Sequence, residues 1–199
     1  GYLLAPKRGE MIVDFCAGAG GKSLLLGALM NSQGRLYAFD VSEKRLSNMK
    51  PRFKRSGLSN LHAQRITHEN DIKVRRLIGK IDRVLVDAPS SGLGTLRRNP
   101  DLKWRQSPQS IQELTAKQTA ILSAAASLLK PGGRLVYATC SFLPEENQEI
   151  IHHFLATHPQ FTLLNCTELL SQQKIALNTG EFLQLSPQLH QTDGFFAAA

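Results

Sequence analysis

The sequence predicts an α/β fold, doubly wound around a mostly parallel sheet. Three observations predict it. Short apolar runs alternate with segments of helical period almost from the first residue, a glycine-rich turn follows the first of these runs, and two runs end on Asp40 and Asp87. Repeating βα units give parallel strands, and such sheets bind ligands beyond the carboxyl ends of their strands.

Taken in order, Met11–Phe15 reads as a buried strand between Gly9 and the glycines at 18, 20 and 21, and Ser23–Met30 as the helix after it. Arg35–Phe39 is a second strand, and 42–56 a basic helix stopped by Gly57, with a kink expected at Pro51. Leu61–Ile66 is a weaker strand, 71–78 a short helix before Gly79, and Ile81–Val86 a fourth strand. A polar loop, 88–106, leads to a helix over 108–129, with Ser107 as its N-cap and Pro108 in its first turn. Lys130-Pro131-Gly132-Gly133 stops that helix and 134–138 is a fifth strand. Beyond it, 145–157 reads as a helix, and 161–164, 182–185 and 194–198 as strands.

A length of 199 residues suits one α/β domain with a sizeable core. Lys and Arg exceed Asp and Glu by 24 to 16, a net charge of +8 that attracts polyanions through counterion release. The excess is clustered, at Lys44, Arg45, Lys50, Arg52, Lys54 and Arg55 and again at Arg97, Arg98, Lys103 and Arg105. Nothing resembles a membrane span or a signal peptide. The missing initiator Met and the strand-like GFFAAA ending lead us to expect a fragment of a longer chain. Cys16, Cys140 and Cys166 match neither a disulfide framework nor a zinc pattern, and the six histidines form no ligand spacing. A reducing, cytoplasmic setting, no metal and a monomer are expected.

The first strand runs into Cys16-Ala17-Gly18-Ala19-Gly20-Gly21-Lys22. Glycines there let a backbone approach a cofactor and turn helix N–H groups toward it. Gly21-Lys22-Ser23 looks like the end of a phosphate-binding P-loop, but that motif needs glycine where Cys16 stands. A dinucleotide fingerprint would place its third glycine at Ser23. S-adenosylmethionine has no phosphates and needs close backbone contact and a ribose acceptor, which Asp40 can be. The loop tolerates it.

Cys140 stands just past the fifth strand, between Thr139 and Ser141, where a loop must begin. That separates it from Cys16 and Cys166, which read as packing residues, Cys16 also lining the cofactor loop. The segments DFCAGAGGK, DVSEKRL, VLVDAPSSGLGTLRRNPDLKW, LKPGGRLVYATCS and DGFF resemble the Sun/RsmB family of RNA cytosine-5 methyltransferases. The resemblance runs from about residue 4 to the end of the chain.

It implies a seven-stranded, Rossmann-like class I methyltransferase fold, S-adenosylmethionine as cofactor and a structured RNA, ribosomal RNA above all, as partner. Residues 16–22 would form the cofactor loop, with Asp40 at the ribose and Asp87 near the sulfonium and the base. Glu69 or Asp71 would supply an adenine contact. Cys140 would be the nucleophile that adds to C6 of cytosine, because cysteine has thiolate character near neutral pH.

One departure stands out. The family places a second cysteine, tied to product release, after Pro89, and here that residue is Ser90. A hydroxyl cannot supply a thiolate, so methylation with slow release is the expectation. Arg97, Arg98 and Lys103 are expected at RNA phosphates and Trp104 in the core, anchoring its loop. Family members carry an RNA-binding region ahead of this domain, and the chain is expected to begin after it. A non-enzymatic RNA-binding homologue and a P-loop ATPase are the rival readings.

Overall fold

The computed structural model describes residues 1–199. In chain order the elements are β1 (Met11–Asp14), α1 (Gly21–Leu29), β2 (Arg35–Asp40), α2 (Glu43–Ser56), β3 (Leu61–Arg65), α3 (Ile72–Arg75) and β4 (Ile81–Asp87). Then follow α4 (Leu102–Arg105), α5 (Pro108–Ser127), β5 (Leu129–Thr139), α6 (Gln148–Thr157), α7 (Cys166–Gln172), β6 (Leu183–Leu185), α8 (Pro187–His190) and β7 (Phe195–Ala198). The seven strands lie in the order β3-β2-β1-β4-β5-β7-β6. β1 pairs in parallel with β2 and β4, and β2 with β3. β7 runs antiparallel to both β5 and β6.

The chain divides into two compact units. The first comprises Gly1–Asp87 with Ala124–Val136. Its core is Ile12, Val13, Leu36, Ala38, Phe39, Ile81 and Val84–Val86 from the strands, with Leu26 of α1, Met30 just past its end and Met49 of α2. Central parallel strands are covered on both faces, which is why they read as continuous apolar runs. Each fully buried aliphatic side chain contributes roughly 1.5–3 kcal/mol. α2 begins and ends as its sequence dictates: the Ser42 hydroxyl accepts from Arg45 N, and Gly57 closes the helix at φ 71°. The helix continues through Pro51. α3 is shorter than its sequence suggests, four residues, with Asp71 outside it as N-cap.

The second unit comprises Ala88–Ser123 with Tyr137–Ala199. Tyr137 and Ala138 of β5 and Phe196 and Ala197 of β7 are buried, with Ile150, Ile151 and Phe154 of α6 and Leu169 and Leu170 of α7. At the start of α5, Ser107 and Ser110 cap reciprocally, each backbone N–H donating to the other's hydroxyl at 2.9 and 3.1 Å. No helix is long and apolar enough to cross a membrane.

Three expectations fail in this unit. Residues 161–164 are not a strand; Phe161 packs edge-on against Phe154, and Leu164 N donates a single bond to Ala199 O. The helix expected over 145–157 starts as a short 3-10 turn at Pro144–Glu146 and becomes α-helical only at Gln148. Trp104 does not enter the core: it is 80% exposed, with the Lys103 ammonium 4.7 Å from its ring centre.

Candidate active site

In the first unit, the functional groups gather around the turn between β1 and α1. Gly18 (φ 57°) and Gly20 (φ 84°) take conformations that side chains resist. A Cβ on Gly20 would also sit 2.5 Å from Met49 Cγ, whereas Gly18 and Gly21 have open space where a Cβ would project. That open space is what close approach of a ligand to backbone requires. Asp40, 4% exposed at the end of β2, accepts from Gly18 N through Oδ2 and from Ser42 N through Oδ1, both at 2.8 Å. It therefore ties the glycine turn to the start of α2, besides being the residue expected at a ribose. Arg52 donates to Ala19 O at 2.9 Å and holds the turn from its other side.

Lys22 and Asp87 form an ion pair at 2.6 Å. Asp14 lies fully buried at the end of β1; Ser23 Oγ donates to its Oδ2 at 2.6 Å, while Oδ1 has no partner. Burial is the main cause that pushes its carboxyl up to about 7, reinforced by the neighbouring Asp87 charge and opposed by the Ser23 hydrogen bond. Asp71, one of the two residues expected at an adenine, is the N-cap of α3. Its carboxylate accepts from Lys73 N, Thr67 N and Thr67 Oγ1, donors that hold its pKa down to about 2, so it closes the turn into α3. Glu69 is half-buried and accepts from Asn70 Nδ2 at 3.2 Å.

In the second unit the candidate nucleophile, Cys140, is half-buried and follows the last residue of β5. Gly94 N donates to its carbonyl at 2.9 Å, so the 3-10 turn Leu93–Thr95 rests on the cysteine backbone. Ser90 is half-buried, and its neighbour Ser91 is buried with its hydroxyl 3.3 Å from Ser141 Oγ. Two residues that sequence reasoning overlooked stand behind them: Glu146, fully buried, and Asn147, 3% exposed. Cys166 is fully buried, and burial pushes its thiol pKa up, consistent with packing rather than reactivity. Cys16 is half-buried in the glycine turn.

Arg97 and Arg98 converge on one carboxylate: their Nε atoms donate to Asp193 Oδ1 and Oδ2, each at 2.7 Å. Asp193 is held below the usual carboxylate range by these two donors, and Arg98 is raised chiefly by Asp193, with a smaller contribution from Cys140. Lys103 lies exposed over Trp104. Asp193→Asn should weaken both arginine contacts and loosen the 92–98 segment. The expected result is several-fold faster tryptic cleavage after Arg97 or Arg98 in the native protein; an unchanged rate would show that the backbone contacts alone hold the segment.

Strand order 3-2-1-4-5-7-6, with one antiparallel strand entering a parallel sheet, a glycine turn after β1 and a carboxylate after β2, defines a Rossmann-like class I methyltransferase fold. The model of the family described as 16S rRNA methyltransferase RsmB/F matches residues 1–199, and the chain belongs to that family. It is 39% identical over 205 residues to ribosomal RNA small subunit methyltransferase B of Erwinia tasmaniensis, covering 98% of this chain and 43% of that protein. The protein of the same description from Shewanella oneidensis is 38% identical over 198 residues, covering 98% and 44%. The solved structure of NSun6 from Pyrococcus horikoshii with SFG superposes with a TM-score of 0.84 at 29% identity, covering 98% of this chain and 48% of that one. The chain spans less than half the length of the curated relatives it matches.

Proposed function

We propose that this domain methylates C5 of cytosine in ribosomal RNA, using S-adenosylmethionine and a covalent bond from Cys140 to C6 of the base. The observation that carries the reading is Cys140 itself: a half-buried thiol at a strand end, its carbonyl fixed by Gly94.

The turn at Gly18, Gly20 and Gly21 fits a cofactor that lies against backbone, and Asp40 fits a ribose, since each carboxylate oxygen keeps a second lone pair after accepting one N–H. When bound, S-adenosylmethionine supplies an electrophilic methyl group on a sulfonium. Cys140 Sγ adds to C6, and the former C5–C6 π pair becomes an enamine pair able to take that methyl at C5. Asp87 is assigned to the N3–N4 edge of the base, where a hydrogen bond favours protonation as Sγ adds. Removal of the C5 proton then re-forms the double bond and expels Sγ.

Ser90 stands where the family has the cysteine associated with that last step, so release is expected to be slow. Lys103 and the two arginines on Asp193 are assigned to RNA phosphates. Extraction of a cytosine from its stack requires such anchoring.

Intact-protein mass spectrometry after incubation with S-adenosylmethionine and ribosomal RNA hairpins tests this. The parent should accumulate an RNA-mass adduct, and Cys140→Ala should form none. Ser90→Cys should clear the adduct and raise multiple turnover by about a hundredfold, the size of a general-base contribution. No adduct and no methylation despite cofactor binding would instead make the domain an RNA-binding methyltransferase homologue. Unchanged turnover in Ser90→Cys would remove the release argument.

A further inference from the structure

The residue pair Glu146-Asn147 grips two loops at once. Glu146 Oε1 accepts from Ser91 N at 2.8 Å and from Gln118 Nε2 at 2.9 Å, and Oε2 accepts from the Ser91 hydroxyl at 2.5 Å. Gln118 extends this grip, since the same Nε2 also donates to Pro89 O at 3.0 Å. Thus one carboxyl group and one amide hold the residues on either side of Ser90. Asn147 does the same for Cys140. Its Oδ1 accepts from Thr139 Oγ1 at 2.5 Å and its Nδ2 donates to Ser141 O at 3.0 Å. The backbone of the pair is itself held, because the Tyr137 hydroxyl donates to Glu146 O at 2.7 Å.

We infer that Glu146 and Asn147 are positioning residues, a clamp that sets the loop carrying Ser90 against the loop carrying Cys140; this rests on the reading of Cys140 as nucleophile. The physical grounds are burial and completeness. A buried carboxyl group is costly unless donors surround it, and here three converge on it. Asn147 offers one acceptor and one donor, and the neighbours of Cys140 present one donor and one acceptor in matching places. An asparagine confined to capping α6 would need neither, and its side chain makes no cap bond at that helix. Neither side chain reaches solvent, so neither touches RNA. Their effect passes through the loops they hold.

The clamp predicts separable effects, because the two side chains hold different loops. Asn147→Ala should displace the pH profile of Cys140 alkylation by iodoacetamide, followed by intact mass, and should slow adduct formation with RNA carrying 5-fluorocytosine. A misplacement of about 1 Å is enough for a loss of about a hundredfold. Fluorine at C5 blocks the final elimination, so this adduct reports on attack and methyl transfer without the release step. Glu146→Ala should leave the alkylation profile of Cys140 in place while slowing adduct formation. Glu146→Gln keeps an acceptor for Ser91 N and Gln118, and its amide can donate to Ser91 Oγ, so it should restore the parent rate.

If Asn147→Ala does not fold by circular dichroism, Thr139→Val carries the test, since it deletes one arm of the clamp and keeps the side-chain volume. A folded Asn147→Ala or Thr139→Val with the parent's alkylation profile and adduct rate would overturn the inference. A parent that forms no Cys140-dependent adduct overturns the reading beneath it, and the clamp with it; a parent that forms the adduct leaves the clamp to be judged by the variants alone.

Discussion

Asp14→Asn is expected to stabilise the protein at pH 8 and to flatten its stability between pH 5 and pH 8. Asp14 is fully buried, with one carboxyl oxygen bonded to Ser23 and the other without a partner. Burial raises its pKa from 3.8 to about 7. A carboxyl group whose folded pKa lies above its unfolded value costs stability as pH rises through that window: the unfolded chain ionises first, and the folded chain must hold a proton or bury a charge. The loss begins near the unfolded pKa and is complete once pH exceeds the folded one. At about 1.4 kcal/mol per pH unit, the penalty grows by roughly 3 kcal/mol between pH 5 and 8. Asparagine keeps an acceptor for Ser23 and carries no charge, so it removes this dependence. Urea midpoints of parent and variant at several pH values measure it. Parallel curves would show that Asp14 is not the group responsible.

This carboxyl group illustrates what the sequence makes legible and what it leaves hidden. An aspartate at the end of the first strand can be read from the sequence, but its burial and its single hydrogen bond depend on Ser23, nine residues away, and on the packing of α1. Strands β1, β2 and β4 are legible because central parallel strands are apolar on both faces, and α2 because Ser42 and Gly57 are capping residues in the right places. Residues 161–164 mislead because Phe161 packs on Phe154 of α6 while the backbone joins no ladder, Leu164 N bonding only to Ala199 O. Trp104 misleads in the other direction: the largest apolar side chain of its loop lies outside, beneath a lysine.

The glycine turn after β1 and the position of Cys140 just past β5 are legible from residue type at strand ends. The capping role of Asp71 is not legible, because it depends on donors of Thr67 and Lys73 that only the fold brings to it. Glu146 is hidden for a related reason. Beside the exposed Glu145 it reads as a second solvated acid in the first turn of a helix, and only the fold shows one of the pair fully buried under Ser91 and Gln118. Signals carried by one residue survive in a sequence; signals carried by a convergence of distant donors do not.

Gly94→Ala should strike fold and chemistry together. Gly94 N donates to Cys140 O at 2.9 Å, and Gly94 O accepts from Gly194 N at 2.7 Å. The glycine is thus the backbone link between the Cys140 loop and the Asp193-Gly194 segment that precedes β7. A Cβ at position 94 would lie 2.8 Å from Cys140 O and closer still to Gly194 O. Both obstacles are backbone atoms, which cannot swing aside as a side-chain end can. The segment must move away from one neighbour or both, so overpacking is joined by the loss of a buried hydrogen bond. The cost is expected at about 2–4 kcal/mol. For a chain of this size that lowers the melting temperature by roughly 4–16 °C. The arginines that meet Asp193 lie on the displaced side, so the Cys140 environment changes with the backbone: alkylation of Cys140 by iodoacetamide should acquire a new pH profile even in the folded fraction. Melting and alkylation together decide the matter. A variant with the parent's melting temperature and alkylation profile would mean that the two strand-end segments need no glycine contact to hold Cys140 in place.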